Sequence, residues 1–340
     1  MVNGDRIAPS PEPPNRLRTV VWLITSRCNL NCIHCYTARL RSVPELSDEE
    51  VMNIARELGQ LGVEHVSLTG GEPTLHPKII DIVKLLSDYG VHTTLITNGI
   101  VSRSKLAKLC DLVSHTIISL DGAKKETHES IRGVGTWERV LSTIDFLSSE
   151  GYEFTVVMAL SRLNWKEAPA FIKLCVELGA SSSAFIPVMP VGRASTELTL
   201  TPQEVETLIK QVDEVASEEK FTVELWCMPF AIALIRSPYV VVSRCRSFSL
   251  MDIDPGGRVL LCDTIDIVVT TVRKGVYNAW LEYCSSEVVR RVVYPKLNPP
   301  CTECYCNYIC KGGCFARSYL RTGQLDGPDP LCPLANRALT

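Results

Sequence analysis

The chain has no apolar run approaching the ~18 residues that cross a bilayer as a helix, so no membrane anchor is expected. Residues 1–18, MVNGDRIAPSPEPPNRLR, lack an apolar stretch and hold four prolines. That excludes a secretory signal and reads as a short mobile tail, with a cytoplasmic chain behind it. Net charge is scarce as well. The 35 Lys and Arg nearly balance 38 Asp and Glu, for a net −3. The basic residues are dispersed, which removes the electrostatic case for a nucleic-acid partner. There is no internal repeat and no low-complexity tract. What remains is a globular chain of 340 residues, 46% apolar, a length that suggests two domains.

Cysteine is abundant, with fifteen in all. With no signal peptide, disulfides are disfavoured and metal or cluster ligation is favoured. Twelve of the fifteen lie either at 28–35 or between Cys245 and Cys332. A disulfide scaffold would spread them more evenly.

Short apolar segments alternate with amphipathic ones from about residue 19 to 190. Strands are expected at 19–25, 64–68, 92–96, 115–120, 154–160 and 183–188. Helices fall between them. One opens on the capping box Ser47-Asp48-Glu49-Glu50, with a stripe of Val51, Ile54, Leu58 and Leu61. Ile79, Val83 and Leu86 stripe another, and Val140, Ile144 and Leu147 a helix over 136–149. Asn164 is expected to cap a helix bearing Ala168, Phe171, Cys175 and Leu178. Thr201-Pro202-Gln203-Glu204 opens a later one. Alternating β and α elements imply a parallel sheet with right-handed crossovers. Periodicity leaves a partial barrel and an open doubly wound sheet both standing. Either places the chemistry on the loops at the C-terminal strand ends. Past about residue 240 the pattern weakens, and that segment is expected to lack a large apolar core and to need inorganic cross-links.

The triad Cys28-x3-Cys32-x2-Cys35 follows the first strand. Three thiolates at this spacing can wrap one corner of an iron–sulfur cube and leave its fourth iron open. Structural zinc wants four ligands, and no fourth Cys or suitable His lies at the usual spacing. His34 is expected to pack against the cluster or its ligand. The later strands end in Thr69-Gly70-Gly71-Glu72-Pro73, Thr97-Asn98-Gly99 and Ser119-Leu120-Asp121-Gly122. Alone, each is a turn. Together they converge on one mouth. The glycines allow close backbone approach to a ligand, and the carboxylate can receive an ammonium.

Cys28-Asn29-Leu30-Asn31-Cys32-Ile33-His34-Cys35-Tyr36 and these strand-end motifs resemble the radical S-adenosylmethionine superfamily over about residues 19–230. The resemblance implies an α/β fold, a partial (β/α)6 barrel of the radical SAM type over 19–235. It implies a [4Fe–4S] cluster on Cys28, Cys32 and Cys35, with S-adenosylmethionine chelating the fourth iron. Gly70, Gly71 and Glu72 would then meet the methionyl ammonium. Ser119 and Asp121 would lie near the ribose or sulfonium. Asn98 and Arg132 rank behind these: Asn98 is equally readable as a turn residue, and Arg132 could pair with the methionyl carboxylate.

Farther on come Cys245-x11-Gly257-x4-Cys262, then Cys301-x2-Cys304-x5-Cys310-x3-Cys314, then Cys332. This is similar to the SPASM extension of the same superfamily, a small irregular cysteine-rich domain expected over 236–340. A zinc ribbon is the plain alternative, but seven cysteines fit two clusters better. By resemblance, Cys301, Cys304, Cys310 and Cys332 would hold one auxiliary [4Fe–4S] cluster. Cys245, Cys262 and Cys314 would hold three corners of another. In some relatives a cysteine about six residues after the first closes that cluster; here Met251 stands there. The fourth position is then open to substrate, or filled from Cys306, Cys284, Cys227 or Asp252, with Cys306 ranked first because it lies within the cluster-binding segment. Cys110 and Cys175 read as core. His65, His76, His92, His115 and His128 show no ligand spacing, although His76 lies near the Gly-Gly-Glu-Pro loop.

The resemblance implies reductive cleavage of S-adenosylmethionine to a 5′-deoxyadenosyl radical that abstracts hydrogen from a peptide, protein or small-molecule substrate. It also implies a low-potential reductant such as ferredoxin or flavodoxin. Peptide or protein maturation is the first reading. The run Gly312-Gly313-Cys314-Phe315-Ala316-Arg317-Ser318-Tyr319 supports a second, maturation of haem-type tetrapyrroles or of tungsten-enzyme cofactors. The 27 residues ahead of Cys28 are too few for a leader-peptide-binding module, which weakens the first reading. An iron–sulfur protein that only carries electrons would not need the strand-end motifs.

Overall fold

The computed structural model describes residues 16–337. Six strands follow the expected alternation: β1 (Thr19–Thr25), β2 (His65–Gly70), β3 (His92–Thr97), β4 (His115–Ser119), β5 (Phe154–Leu160) and β6 (Ser182–Pro187). Two short strands, β7 (Val223–Leu225) and β8 (Val240–Val242), extend one side. On the other side lie β9 (Leu250–Ile253), β10 (Arg258–Cys262) and β11 (Ile265–Thr271). All belong to one sheet of order β11-β10-β9-β1-β2-β3-β4-β5-β6-β7-β8. Neighbours from β1 through β8 run parallel. The six βα repeats of the expected partial barrel are therefore present, and β8 and β11 are the ends of the sheet among the described residues.

The helices form where caps and stripes coincide. Ser47 and Glu50 satisfy each other's backbone N–H groups at the start of Asp48–Gln60, and Thr201 with Glu204 do the same for Pro202–Glu219. Val51, Ile54 and Leu58 are buried on one helix, and Val140, Ile144 and Leu147 on Trp137–Ser149. Asn164 does not cap as expected. Its Oδ1 accepts from Ser161 N, and its Nδ2 donates to the carbonyls of Asp121 and Ala159. The side chain is spent on joining two strand ends instead.

The C-terminal segment expected over 236–340 joins the sheet of the barrel. β9 lies parallel to β1, with Leu250 opposite Thr19 and Ile253 opposite Trp22. Trp22, Val66, Met251, Val259, Val276 and Trp280 share one core. The C-terminal segment thus has apolar support, because its hairpin and the helix Val276–Ser285 pack on the first strands. A second core gathers Phe154, Phe171, Phe185 and Leu208 with Cys306, Cys310 and Leu331. Burying each large apolar side chain contributes roughly 1.5–3 kcal/mol.

Most of the expected tail lies outside the described residues. The part within it is fixed, since Leu17 is buried and Arg18 N donates to Ser249 O. No helix among the described residues is long and apolar enough to cross a membrane.

Candidate metal and cofactor site

Cys28, Cys32 and Cys35 lie on the loop that leaves β1, within electrostatic reach of one another. Donors are already aimed at their sulfurs. Leu30 N lies 3.4 Å from Cys28 Sγ, Asn98 Nδ2 lies 3.8 Å from it, and Thr37 Oγ1 lies 3.2 Å from Cys35 Sγ. Burial pushes the Cys28 and Cys32 thiols up, and the Arg132 charge beside Cys32 opposes it. Convergent thiols with surrounding hydrogen-bond donors fit an iron–sulfur cluster, whose charge would hold them deprotonated.

Glycines 70 and 71 are needed for close approach, but to the chain itself. A Cβ on Gly70 would fall 2.4 Å from Thr25 O, and one on Gly71 would fall 2.2 Å from Arg27 O. Gly71 N and Glu72 N donate to those same carbonyls at 2.7 Å. This seats the end of β2 on the start of the cysteine loop. Glu72 is wholly buried. Its Oε1 accepts from Thr74 N, Thr74 Oγ1 and Thr97 Oγ1, and its Oε2 accepts from Asn98 N at 2.8 Å. Burial raises its pKa and these bonds oppose the rise. The carboxylate is a strut between β2 and β3. Asn98 continues the strut by donating to Asn29 Oδ1 at 2.8 Å, so it does more than turn the chain.

Asp121 is the corresponding strut after β4. Its Oδ2 faces His34 Nε2 and Arg132 Nε, each at 2.6 Å, and its Oδ1 accepts from Ala159 N at 2.8 Å. Burial would raise this carboxyl, but Arg132 and His34 outweigh it and hold the pKa far below the carboxylate range. His34 therefore meets Asp121. Arg132 stands beside Cys32 and Cys28 with its Nε occupied. Ser119 is half-buried at the end of β4. Behind them His128 accepts from Asp121 N, and burial, then Arg132, lower its pKa to about 4.

Sequence reasoning missed the clasp after β6. Arg193 Nε donates to Cys32 O at 2.7 Å, and Arg193 N to Cys35 O at 3.1 Å. Gly192, at φ 67°, lets the backbone come so near that a Cβ would sit 2.3 Å from Cys35 O. A second unforeseen link joins the two cysteine regions. Tyr36, next to Cys35, donates to Asp263 Oδ2 at 2.7 Å, and Asp263 follows Cys262.

The C-terminal cysteines fall into two sets. Cys301, Cys304, Cys306, Cys310 and Cys332 line one cavity of about 290 Å³. Cys306 Sγ lies 3.4 Å from Cys304 Sγ. It belongs to this set, which corrects its ranking as the missing ligand beside Cys245. The second set holds Cys245, Cys262 and Cys314, and the structure adds Cys227, whose thiol lies beside that of Cys314. Cys284 is in neither set, for its sulfur faces Phe248 O in the apolar core. Asp252, Cys262 and Asp263 bring their ligating atoms within 4.8 Å of one another.

A buried ion pair frames both sets. Arg317 Nη1 donates to both oxygens of Asp329, at 2.9 and 2.7 Å. Asp329 Oδ2 also accepts from Cys314 N at 2.8 Å, and Oδ1 from Leu331 N at 2.9 Å. The neighbouring Cys227 thiol, aided by the Arg317 charge against burial, holds the Cys314 thiol below its ordinary value.

The family model of the Radical SAM superfamily matches residues 22–175. The chain is 27% identical to the AdoMet-dependent heme synthase of Methanosarcina barkeri, over 94% of this chain and 97% of that protein. It is 27% identical to the mycofactocin maturase MftC of Mycolicibacterium smegmatis, over 92% of this chain and 82% of that one. Among solved structures, native anSMEcpe with bound AdoMet and Kp18Cys peptide superposes with a TM-score of 0.76 at 18% identity, covering 95% of both chains.

Proposed function

We propose, for a chain that is a radical SAM superfamily enzyme with a C-terminal SPASM domain, that its substrate is a peptide or protein and its product a matured form of it. The enzyme binds S-adenosylmethionine, a [4Fe–4S] cluster and auxiliary iron–sulfur clusters. When bound, these supply one-electron reductive cleavage to a 5′-deoxyadenosyl radical, which abstracts hydrogen from the substrate. The chain's own residues bind, orient and exclude water around that chemistry.

The observation that carries the cofactor assignment is the cysteine loop of 28–35, braced by Glu72, Asp121 and Arg193 at the strand ends. Cys28, Cys32 and Cys35 are the ligands in this reading. Gly70, Gly71, Glu72, Asn98, Ser119, Asp121 and Arg132 surround S-adenosylmethionine. Glu72 and Asp121 act first as positioning residues, because their oxygens already accept protein donors. Arg132 has its Nη nitrogens left for the methionyl carboxylate. Cys301, Cys304, Cys310 and Cys332 hold one auxiliary cluster, and Cys245, Cys262 and Cys314 another. Ferredoxin or flavodoxin is the expected class of reductant.

The peptide reading is supported by the peptide in the anSMEcpe complex and by the MftC relative. A second reading, a haem-type tetrapyrrole substrate, is favoured by the heme synthase relative, which is matched over nearly its whole length. One experiment separates them. The anaerobically reconstituted protein receives dithionite, S-adenosylmethionine and a substrate deuterated at carbon, either precursor peptides encoded beside its gene or a tetrapyrrole with propionate side chains. Deuterium should enter 5′-deoxyadenosine from the peptide. Label from the tetrapyrrole alone would move the assignment there, and no 5′-deoxyadenosine with all clusters loaded would overturn the enzymatic reading.

A further inference from the structure

We propose that Cys227 is the fourth protein ligand of the cluster on Cys245, Cys262 and Cys314, so that this cluster is closed by protein and offers no iron to the substrate. The inference rests on the reading above that those three thiols hold a cluster.

Cys227 lies just past β7, 18 residues before Cys245 and outside the Cys245–Cys332 spacing pattern. The fold nevertheless brings its thiol beside that of Cys314 and within electrostatic reach of Cys245 and Cys262. Its backbone sits at φ 55°, in the left-handed region. A non-glycine residue is strained there and persists where its surroundings fix it. The fixing group is identifiable. Arg317 Nη2 donates to Cys227 O at 2.9 Å, while Nη1 grips Asp329. Asp329 in turn accepts from Cys314 N. One buried ion pair thus sets the backbones of both Cys227 and Cys314. A cysteine that merely packs has no use for this. Cys175, for comparison, lies fully buried on an apolar helix face.

The competing donors are accounted for. Cys306 lines the other cavity, and Cys284 faces a core carbonyl. Asp252 is near Cys262, its Oδ2 accepting from Asp263 N at 2.8 Å and its Oδ1 buried without a partner. Its carboxylate is a harder donor than the thiolates that iron–sulfur clusters take, which ranks it behind Cys227.

The test uses the full chain with Cys28→Ala, Cys32→Ala and Cys35→Ala, so that only C-terminal clusters load. After anaerobic reconstitution and dithionite reduction, electron paramagnetic resonance spectra are recorded with and without cyanide, which binds an open iron. Iron should be about eight per chain for two four-iron clusters, and cyanide should leave the spectrum unchanged. Adding Cys227→Ser should shift the g values of one cluster without cyanide. Adding Cys227→Ala should make that cluster respond to cyanide, or remove it and lower iron to about four. Adding Asp252→Asn or Cys306→Ala should leave that cluster's signal and its indifference to cyanide intact. A cyanide response while Cys227 is present, or a shift with Asp252→Asn and none with Cys227→Ser, overturns the assignment. Iron of about four before Cys227 is touched shows instead that the underlying three-thiol site holds no cluster.

Discussion

Beside Cys32, Asp121 pairs with Arg132; beside Cys314, Asp329 pairs with Arg317. Both pairs are buried and both bring a cation to a group of thiols. The backbones around them differ. Asp121 follows β4, a strand hydrogen-bonded on both sides within a parallel sheet. Asp329 lies in a stretch of turns between the helices Phe315–Thr322 and Pro333–Arg337, its carbonyl accepting from the N–H of Cys332, one of five cysteines that line a cavity. The sheet can position its thiols before any iron arrives. Among the described residues the C-terminal turns contain no strand past residue 296 and are held by Arg317–Asp329, by Arg246 and Lys311 on backbone carbonyls and by a few core side chains, so there a bound metal would complete the fold.

Replacing Cys28, Cys32 and Cys35 with Ala should abolish 5′-deoxyadenosine formation, read by chromatography, while leaving about two-thirds of the iron. Loss of all iron would show that the two regions do not load separately. Next in size is Asp329→Ala, which strands the Arg317 charge. It should cost about 3–5 kcal/mol in denaturant unfolding and deplete the auxiliary iron, with the triad's share retained.

Chelating iron should sharpen the contrast in a different way. Limited proteolysis of the stripped protein should cut first within residues 296–332 and later within β1–β6. Cutting at equal rates in both would break the comparison. Gly71→Ala should destabilise the first region by about 1–3 kcal/mol, because the added carbon meets the Arg27 carbonyl. Thermal melting of the metal-free protein reads this without the clusters.

The effect that is smallest near neutrality is one of pH. His128 is lowered to about 4 by burial, against about 6.5 unfolded. The unfolded chain therefore binds the extra proton first. The stabilisation is complete above about pH 6.5 and drains as pH falls toward about 4, by no more than about 3 kcal/mol. His128→Gln should flatten that part of the stability profile, and an unchanged slope would remove His128 from the account.

The first six strands were legible because each is long enough to show its own apolar pattern between turn residues. β7 and β8 span three residues each and carry no period. The hairpin of β10 and β11 was hidden by its Pro255-Gly256-Gly257 approach and by the cysteine density around it. At the candidate site, residue types were readable and their duties less so. Glycines that spare a ligand and glycines that spare a neighbouring carbonyl look alike in sequence, and Gly70 and Gly71 proved to be the second kind. Arg193 and Cys227 lie outside any recognisable motif, and they reach the cysteine loops only through the fold. The pairing of Arg317 with Asp329 likewise depends on a chain reversal that neither residue announces.

The parallel pairing of β9 with β1 has a bearing on synthesis. A chain emerging from the ribosome at about 5–20 residues per second presents β1 long before Leu250 appears to lie along it. Until then β1 is an edge strand with free N–H and C=O groups, the kind of edge that invites mispairing with other chains. The cysteine-rich segment is therefore also the seal on that edge. Truncation before β9 should yield an aggregating product, and folding helpers that bind exposed strands would find their target at the first strand made.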